Sequence, residues 1–156
     1  MSLFFRTQTK RIMAGVLPIG GGAPVSVQSM CCTKTQDTEA TLVQICALAA
    51  AGCDIVRLAV PDMDAARALS VIKERSPLPI VADIHFDHRL AVEAAQRGAD
   101  KIRINPGNIG GAANVARVAK ACSLHNIPIR IGINGGSLEK PLLEKYGRPT
   151  AEAMVE

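Results

Sequence analysis

The chain has 156 residues and a formal net charge of +4, and 48% of its residues are apolar, a balance that is ordinary for a soluble globular protein. Aromatic residues make up only 3% and Trp is absent, so there are few platforms on which bases could stack, and we expect no nucleic-acid partner. No run approaches the roughly eighteen apolar residues of a membrane span. Five cysteines without CxxC spacing favour a reducing cytoplasm over a disulfide framework.

The predicted elements follow a short leader at residues 1–10. Five β-rich runs begin 22 to 29 positions apart, and Ala-rich stretches with helical spacing of apolar residues separate them. Cap signals predict that the first three helices begin at Thr38, Asp64 and Asp87, and the chain ends in the first turns of another helix. The five runs are VSVQSM at 25–30, DIVRLAV at 54–60, PIVADIH at 79–85, KIRINPG at 101–107 and PIRIGIN at 128–134.

Strands that alternate with helices at this spacing predict βαβ units and a parallel sheet. No GxGxxG follows the first strand, which disfavours an open dinucleotide-binding sheet. Polar residues at the carboxyl ends of several strands favour a TIM (β/α)8 barrel. A complete barrel needs roughly 200 residues or more. We therefore expect residues 11–156 to be the N-terminal part of the barrel, with roughly its first five βα units.

Three of the strands carry an arginine between branched aliphatic residues: Arg57, Arg103 and Arg130. Side chains alternate across a strand, so if the aliphatic residues pack on the helices, the arginines face the barrel axis. The same alternation adds polar residues from all five strands. The predicted inner set is Gln28, Arg57, Asp83, His85, Arg103, Asn105, Arg130 and Asn134.

Three guanidiniums with a single nearby carboxylate predict a multiply anionic ligand. Burying unpaired charge costs several kcal/mol per ion, and Arg binds phosphate oxygens in a bidentate manner. The glycine-rich loops at 105–111 and 134–137 add backbone N–H groups that suit phosphate. A single arginine at a strand end is more often a structural ion pair, but three on one face make that explanation less favoured.

Other polar residues have simpler interpretations. We expect His88 and His125 at helix termini on the surface, and Cys31 and Cys32 at the mouth of the barrel, where they lack metal-ligand spacing. Four arginines on helices are expected to be solvated, and three cysteines to be small core residues. These are Arg67, Arg75, Arg97 and Arg117, and Cys46, Cys53 and Cys122.

Four motifs together resemble one enzyme family, the bacterial 4-hydroxy-3-methylbut-2-en-1-yl diphosphate synthases. The resemblance runs from about residue 11 to residue 156, and its long ordered motifs are far more specific than a lone glycine pattern. The run CCTKTQD at 31–37 departs from the polar segment usual in the family, which leaves the role of this loop open. The motifs are PIGGGAPVSVQSM, VADIHFDHRLA, KIRINPGNIG and IPIRIGINGGSLEKPLLEKYG.

The resemblance implies an oxidoreductase of the non-mevalonate isoprenoid pathway. Such enzymes reductively open 2-C-methyl-D-erythritol 2,4-cyclodiphosphate, with flavodoxin or ferredoxin as electron donor. Their N-terminal barrel holds the diphosphate, and a C-terminal domain carries a [4Fe-4S] cluster on three cysteines and a glutamate. They are cytoplasmic homodimers. We expect the cluster ligands to lie outside this chain, which by itself would then be inactive.

Carried over by motif, the resemblance assigns substrate binding to six residues and leaves two roles open for a carboxylate–imidazole pair. Asp83 and His85 are the candidate catalytic residues: they could handle a proton, or the carboxylate could orient the imidazole. The alternatives for the whole chain are a dihydropteroate-synthase-like barrel enzyme and an inert barrel fragment that associates through open strand edges. The substrate-binding residues are Arg57, His85, Arg103, Asn105, Arg130 and Asn134.

Overall fold

The computed structural model of the protein describes residues 8–156 and contains seven strands and six α-helices in that range. Most of the predicted leader at 1–10 lies outside the described residues, and that boundary stays a prediction. The strands are β1 Ile12–Ala14, β2 Leu17–Ile19, β3 Gln28–Met30, β4 Ile55–Ala59, β5 Ile80–Asp83, β6 Lys101–Ile104 and β7 Ile129–Ile131. The helices are α1 Thr38–Ala50, α2 Met63–Arg75, α3 His88–Gln96, α4 Ala112–Leu124, α5 Lys140–Tyr146 and α6 Ala151–Val155, with a 3₁₀ helix at Gly135–Ser137.

Strands β3 to β7 form one parallel sheet in chain order, and helices α1 to α4 connect them one by one. The predicted α/β class with a parallel sheet is therefore confirmed. Within residues 8–156 the sheet is open, with β3 and β7 at its two edges. The carboxyl ends of all five strands lie at the same end of the sheet, as parallel pairing requires.

The helix-covered face of the sheet forms the main core. Val56, Leu58, Ile80 and Ile102 are fully buried there and pack with apolar residues of the helices. Burying each such side chain contributes about 1.5–3 kcal/mol. Because strand residues alternate, this packing directs their neighbours to the opposite face, and the register pairs Arg103 on that face with both Asp83 and Arg130. The predicted orientation of the arginine face is thus confirmed.

A β-hairpin that the sequence analysis did not predict covers the N-terminal end of this opposite face. Strands β1 and β2 pair antiparallel, and Ala14 packs against Ile55 of β4 and Val81 of β5. The turn residue Gly15 has φ +58, and a Cβ there would lie 2.9 Å from Cγ of Asp100. The hairpin leaves only the carboxyl end of the face open to a ligand.

Two predicted helix caps need correction. The N-caps of α1 and α2 are Asp37 and Asp62, whose carboxylates accept backbone N–H groups in the first turn, rather than Thr38 and Asp64. An aspartate just outside the helix satisfies these orphan donors better than a residue already inside it. Asp87 caps α3 as predicted.

The strands are shorter than predicted because pairing stops where the neighbouring strand stops. Strand β3 starts only at Gln28, opposite the first residue of β4. Strand β7 ends at Ile131, so Asn134 lies in the following loop and not, as predicted, on the strand.

Candidate functional site

The carboxylate of Asp83, at the end of β5, gathers charged side chains from three strands. Arg57 Nε and Nη2 donate to Oδ2 at 3.0 and 2.6 Å, and Arg103 Nη1 donates to Oδ1 at 3.2 Å. His85 Nε2 lies 3.1 Å from Oδ2. Four of the predicted site residues therefore form one connected group.

The ion pairs in this group are largely withdrawn from solvent. The side chain of Asp83 is 0% exposed, and those of Arg57 and Arg103 are 23% and 10% exposed. Burial by itself raises the pKa of Asp83, but the hydrogen bonds and charge of Arg57, together with His85, outweigh it and hold the pKa below its ordinary value. Asp83 is therefore a fixed anion at neutral pH, suited to orienting its partners.

Arg103 also lies against the backbone immediately after β7, at Gly132. Its Nη2 donates to the Gly132 carbonyl at 3.2 Å. A Cβ at Gly132 would lie 2.6 Å from Nη2 and 2.8 Å from Cζ, so a larger residue would displace the guanidinium. The sequence analysis did not single out Gly132. The signal that could have found it is its position two residues after Arg130, on the same face.

Arg130 supplies positive charge that no carboxylate offsets. It is exposed, and it forms no ion pair among residues 8–156. On the same face of the sheet, burial and the nearby charge of Arg130 lower the pKa of Lys101. Asp83 thus neutralises only part of the charge of Arg57, Arg103 and Arg130, and the open end of the face keeps a positive surplus.

His85 stands at the rim of a small cavity beside this charge. Its side chain is 51% exposed, and with Asp83 and Asp87 it forms the polar side of a cavity of ≈ 150 Å³. Val60, Pro61 and Phe86 contribute apolar walls. The positive surplus of the arginine face thus adjoins a small, mostly apolar recess.

The two predicted asparagines lie in the loops that follow β6 and β7. Asn105 is 2% exposed, and its Nδ2 donates to Ser137 Oγ at 2.7 Å. Asn134 is exposed and precedes the 3₁₀ helix, and its backbone N–H donates to the same Oγ at 3.2 Å. We call the loop after β6, which contains Asn105, and the loop after β7, which contains Asn134, the asparagine loops. Ser137, a residue that the sequence analysis did not select, links the two loops.

Gln28 shares the face but not the carboxyl end. It pairs with Ile55, which packs against the hairpin, while Met30 is the residue level with Arg57. The prediction of Gln28 on this face is confirmed, but it lies two residues below the charged group.

Comparison with known proteins agrees with this architecture. A profile described as the GcpE TIM-barrel domain matches residues 9–156. The chain belongs to the GcpE TIM-barrel family. Membership confirms the predicted barrel class, and the five parallel strands are βα units of that barrel.

Curated relatives of this GcpE domain share most of its sequence. It is 60% identical over 151 residues to the 4-hydroxy-3-methylbut-2-en-1-yl diphosphate synthase (flavodoxin) of Geobacter sulfurreducens, covering 97% of this chain and 43% of that protein. The synthase of the same name from Idiomarina loihiensis is 59% identical, over 97% and 41%. That of Yersinia enterocolitica is 56% identical, over 99% and 41%. The chain spans about two fifths of the length of these relatives.

The cysteines of this GcpE domain do not fit an iron–sulfur cluster. Cys31 is buried in the core, where burial and the neighbouring Cys32 and Cys53 raise the pKa of its thiol to about 11. Cys32 is exposed, and Gln44 Nε2 donates to its Sγ at 3.2 Å. Residues 8–156 contain no group of three or more Cys, His, Asp or Glu that could hold a metal. The prediction that Cys31 could line the barrel mouth is wrong, because its side chain packs on the helix side.

The remaining sequence expectations have mixed outcomes. His125 is exposed and is the C-cap of α4, as predicted. The side chain of His88 is only 19% exposed, and Arg117 Nη1 of α4 lies 3.4 Å from its Nε2. Cys46 is exposed on α1, whereas Cys53 and Cys122 are buried as expected. Three of the four arginines that were expected to be solvated make ion pairs on the surface: Arg67 with Asp64, Arg75 with Glu39 and Arg97 with Glu93.

The described part of the chain includes no helix that is both long and apolar enough to span a membrane.

Proposed function

We propose that this GcpE domain binds the diphosphate of 2-C-methyl-D-erythritol 2,4-cyclodiphosphate within a 4-hydroxy-3-methylbut-2-en-1-yl diphosphate synthase. The observation that carries the proposal is the surplus of positive charge at the carboxyl end of the sheet. Two guanidiniums share Asp83, and Arg130 stands beside them without a carboxylate. A diphosphate supplies the missing negative charge with oxygens in the geometry that Arg prefers. The names of the relatives fit this substrate class.

In this proposal Arg130 makes the first contact with the diphosphate, because it is exposed and has no competing anion. Arg57 and Arg103 then bind through the N–H groups that Asp83 leaves unused. Asn105 and Asn134 donate from the adjoining loops. The carbon skeleton lies toward His85 and the apolar recess. Fixed donors of this kind hold a substrate in one orientation, which is how a binding domain contributes to rate.

We assign Asp83 an orienting role and His85 the role of proton handling. Asp83 makes hydrogen bonds to three side chains and has a lowered pKa, so it holds a proton poorly at neutral pH. His85 is exposed on the side of the cavity and contacts Asp83 through Nε2, which leaves Nδ1 free to exchange a proton with a bound substrate.

The reductive step requires groups beyond residues 8–156. We propose that the [4Fe-4S] cluster and its ligands belong to a further domain of the complete synthase, since the cysteines of this domain do not suit them. Flavodoxin is the proposed electron donor, as the names of the relatives state for those proteins. We further propose a homodimer that works in the cytoplasm.

The test is steady-state kinetics of the complete synthase with Arg130→Ala. Loss of a charge-assisted hydrogen bond costs about 1.5–3 kcal/mol, so kcat/KM should fall roughly ten- to hundredfold or more. Arg67→Ala is the matched control, because the side chain of Arg67 is exposed on α2 and its one ion pair among residues 8–156 is with Asp64 at 3.8 Å. Equal kcat/KM for the Arg130 variant and the control would refute the proposed site.

A further inference from the structure

The Ser137 hydroxyl makes three hydrogen bonds: one joins it to Asn105 in the loop after β6, and two hold it to Asn134 within its own loop after β7. It accepts from Asn105 Nδ2 at 2.7 Å and from the backbone N–H of Asn134 at 3.2 Å, and it donates to the Asn134 carbonyl at 2.9 Å. A hydroxyl has one hydrogen and two acceptor positions. The hydroxyl is therefore fully occupied and has no capacity left for a ligand.

The same contacts fix the orientation of the buried Asn105 amide. Its Oδ1 accepts from the backbone N–H of Gly107 at 3.2 Å, which identifies the oxygen side, and its Nδ2 then faces Ser137. An amide nitrogen carries two hydrogens, and Ser137 receives one of them. The second has no further partner among the described residues, so it can be donated to a ligand at the carboxyl end of the sheet.

The two loops also touch through their backbones. A Cβ at Gly107 would lie 2.7 Å from the carbonyl oxygen of Ser137, a distance that real Cβ atoms do not adopt. The close approach thus requires glycine at 107 for reasons of space. It keeps the loop after β6 and the loop after β7 in one fixed arrangement.

We propose that Ser137 is a positioning residue for the diphosphate. It holds the amide of Asn105 and the backbone at Asn134 so that both face the same anion. The inference rests on the proposed function and adds to it a residue that does not touch the substrate. The loop after β6 cannot take its binding position unless the loop after β7 is in place.

The experiment compares four variants of the complete synthase by calorimetric titration with 2-C-methyl-D-erythritol 2,4-cyclodiphosphate. Ser137→Ala removes the hydroxyl and should raise Kd roughly tenfold, whereas Ser137→Thr keeps a hydroxyl and should restore most of the affinity. Gly107→Ala pushes the loops apart and should also raise Kd. Gly136→Ala is its control, since a Cβ there has nothing within 4 Å.

A double-mutant cycle with Asn105→Ala separates positioning from general loosening of the structure. If Ser137 acts through Asn105, Ser137→Ala should change Kd much less in the Asn105→Ala background than in the wild type. The side-chain amide resonance of Asn105 should shift in Ser137→Ala and stay in place in Gly136→Ala. A purely structural role predicts the same factor in both backgrounds.

The outcomes distinguish this inference from the proposed function. Tight binding by the wild type together with an unchanged Kd for Ser137→Ala overturns the positioning role and leaves the proposed function standing. An equal loss of affinity in both backgrounds also overturns it. No binding by the folded, complete wild-type synthase overturns the proposed function and, with it, the role of Ser137.

Discussion

Asp83 is the central residue of the site, because its carboxylate is hydrogen-bonded to Arg57, Arg103 and His85. The sequence predicted the arginine face through alternation alone. It could not predict that one carboxylate would hold two arginines, because that depends on how adjacent strands are placed in register. The arginines are therefore less free than their number implies, and Arg130 carries most of the unneutralised charge.

Replacing Asp83 should destabilise the chain in a pH-dependent way. Asp83→Asn leaves the buried guanidinium of Arg103 and the partly buried one of Arg57 without their anion, which should lower the free energy of unfolding by about 3 kcal/mol at neutral pH. The pKa of Asp83 is lowered in the folded state, so its stabilisation is complete above the ordinary value of about 3.9 and is lost as pH falls through the folded value. The gap between wild type and variant should therefore narrow in urea unfolding below about pH 4.

The control for this prediction is Asp64→Asn, which removes an exposed carboxylate 3.8 Å from Arg67. Exposed pairs contribute about 0–1 kcal/mol. A gap for Asp83→Asn that stays constant across the acid range would contradict the assignment of a lowered pKa.

Gly132 makes a second prediction at this scale. Gly132→Ala should displace the Arg103 guanidinium, because a Cβ would lie 2.6 Å from its Nη2. We expect at least a tenfold loss of affinity for the cyclic diphosphate and a shifted Nε–H resonance of Arg103. Gly136→Ala is the control, because a Cβ at Gly136 would have nothing within 4 Å. This variant should change neither the affinity for the cyclic diphosphate nor the Arg103 resonance. An unmoved Arg103 resonance in Gly132→Ala would contradict the contact.

At the scale of elements, the spacing of the β-rich runs and the helical periodicity of the apolar residues between them predicted the five parallel strands and their intervening helices. The hairpin of β1 and β2 escaped prediction because a short turn and not a helix joins its strands, so they lie outside the strand–helix spacing that revealed β3 to β7. The loops that contain Asn105 and Asn134 were recognised in the sequence as glycine-rich segments. The hydrogen bond that links these loops joins Asn105 to Ser137, which is 32 positions further along the chain. Contacts of that kind leave no local trace in a sequence.

The hairpin turn should be sensitive to the loss of glycine at position 15. Gly15→Ala combines a strained positive φ with a clash against Asp100, whereas Gly52→Ala has φ +89 and nothing within 4 Å of its Cβ. The Gly52 variant should lose only about 1–2 kcal/mol of unfolding free energy, from φ alone. The Gly15 variant should lose clearly more in urea unfolding. Equal losses would mean that the hairpin does not pack against Asp100.

At the scale of the whole molecule, the open sheet leaves an apolar edge. Ile131, on the edge strand β7, is 63% exposed, and Leu124 of α4 is also exposed. Unpaired edge strands with exposed apolar residues favour association between chains. The sequence predicted this liability from the number of strands. The structure places the two edges at β3 and β7, and Ile131 of β7 is more exposed than Met30 of β3.

We expect the 156-residue chain to associate as its concentration rises. Ile131→Lys should reduce this association in sedimentation velocity, because a charge on an edge strand disfavours pairing. Val43→Lys is the control, since Val43 is 71% exposed, similar to Ile131, but lies on α1 and not on a strand. A monomeric wild-type chain at all concentrations, or an equal effect of both variants, would contradict an association through β7.

The most direct test of the account is calorimetric titration of this chain with 2-C-methyl-D-erythritol 2,4-cyclodiphosphate, with inorganic phosphate and a pterin diphosphate as comparison ligands. The account predicts selective binding of the cyclic diphosphate, weakened at least tenfold by Arg103→Ala and unaffected by Arg67→Ala. Preferential binding of the pterin, or no binding by a chain whose circular dichroism shows it to be folded, would contradict a diphosphate site at the carboxyl end of the sheet.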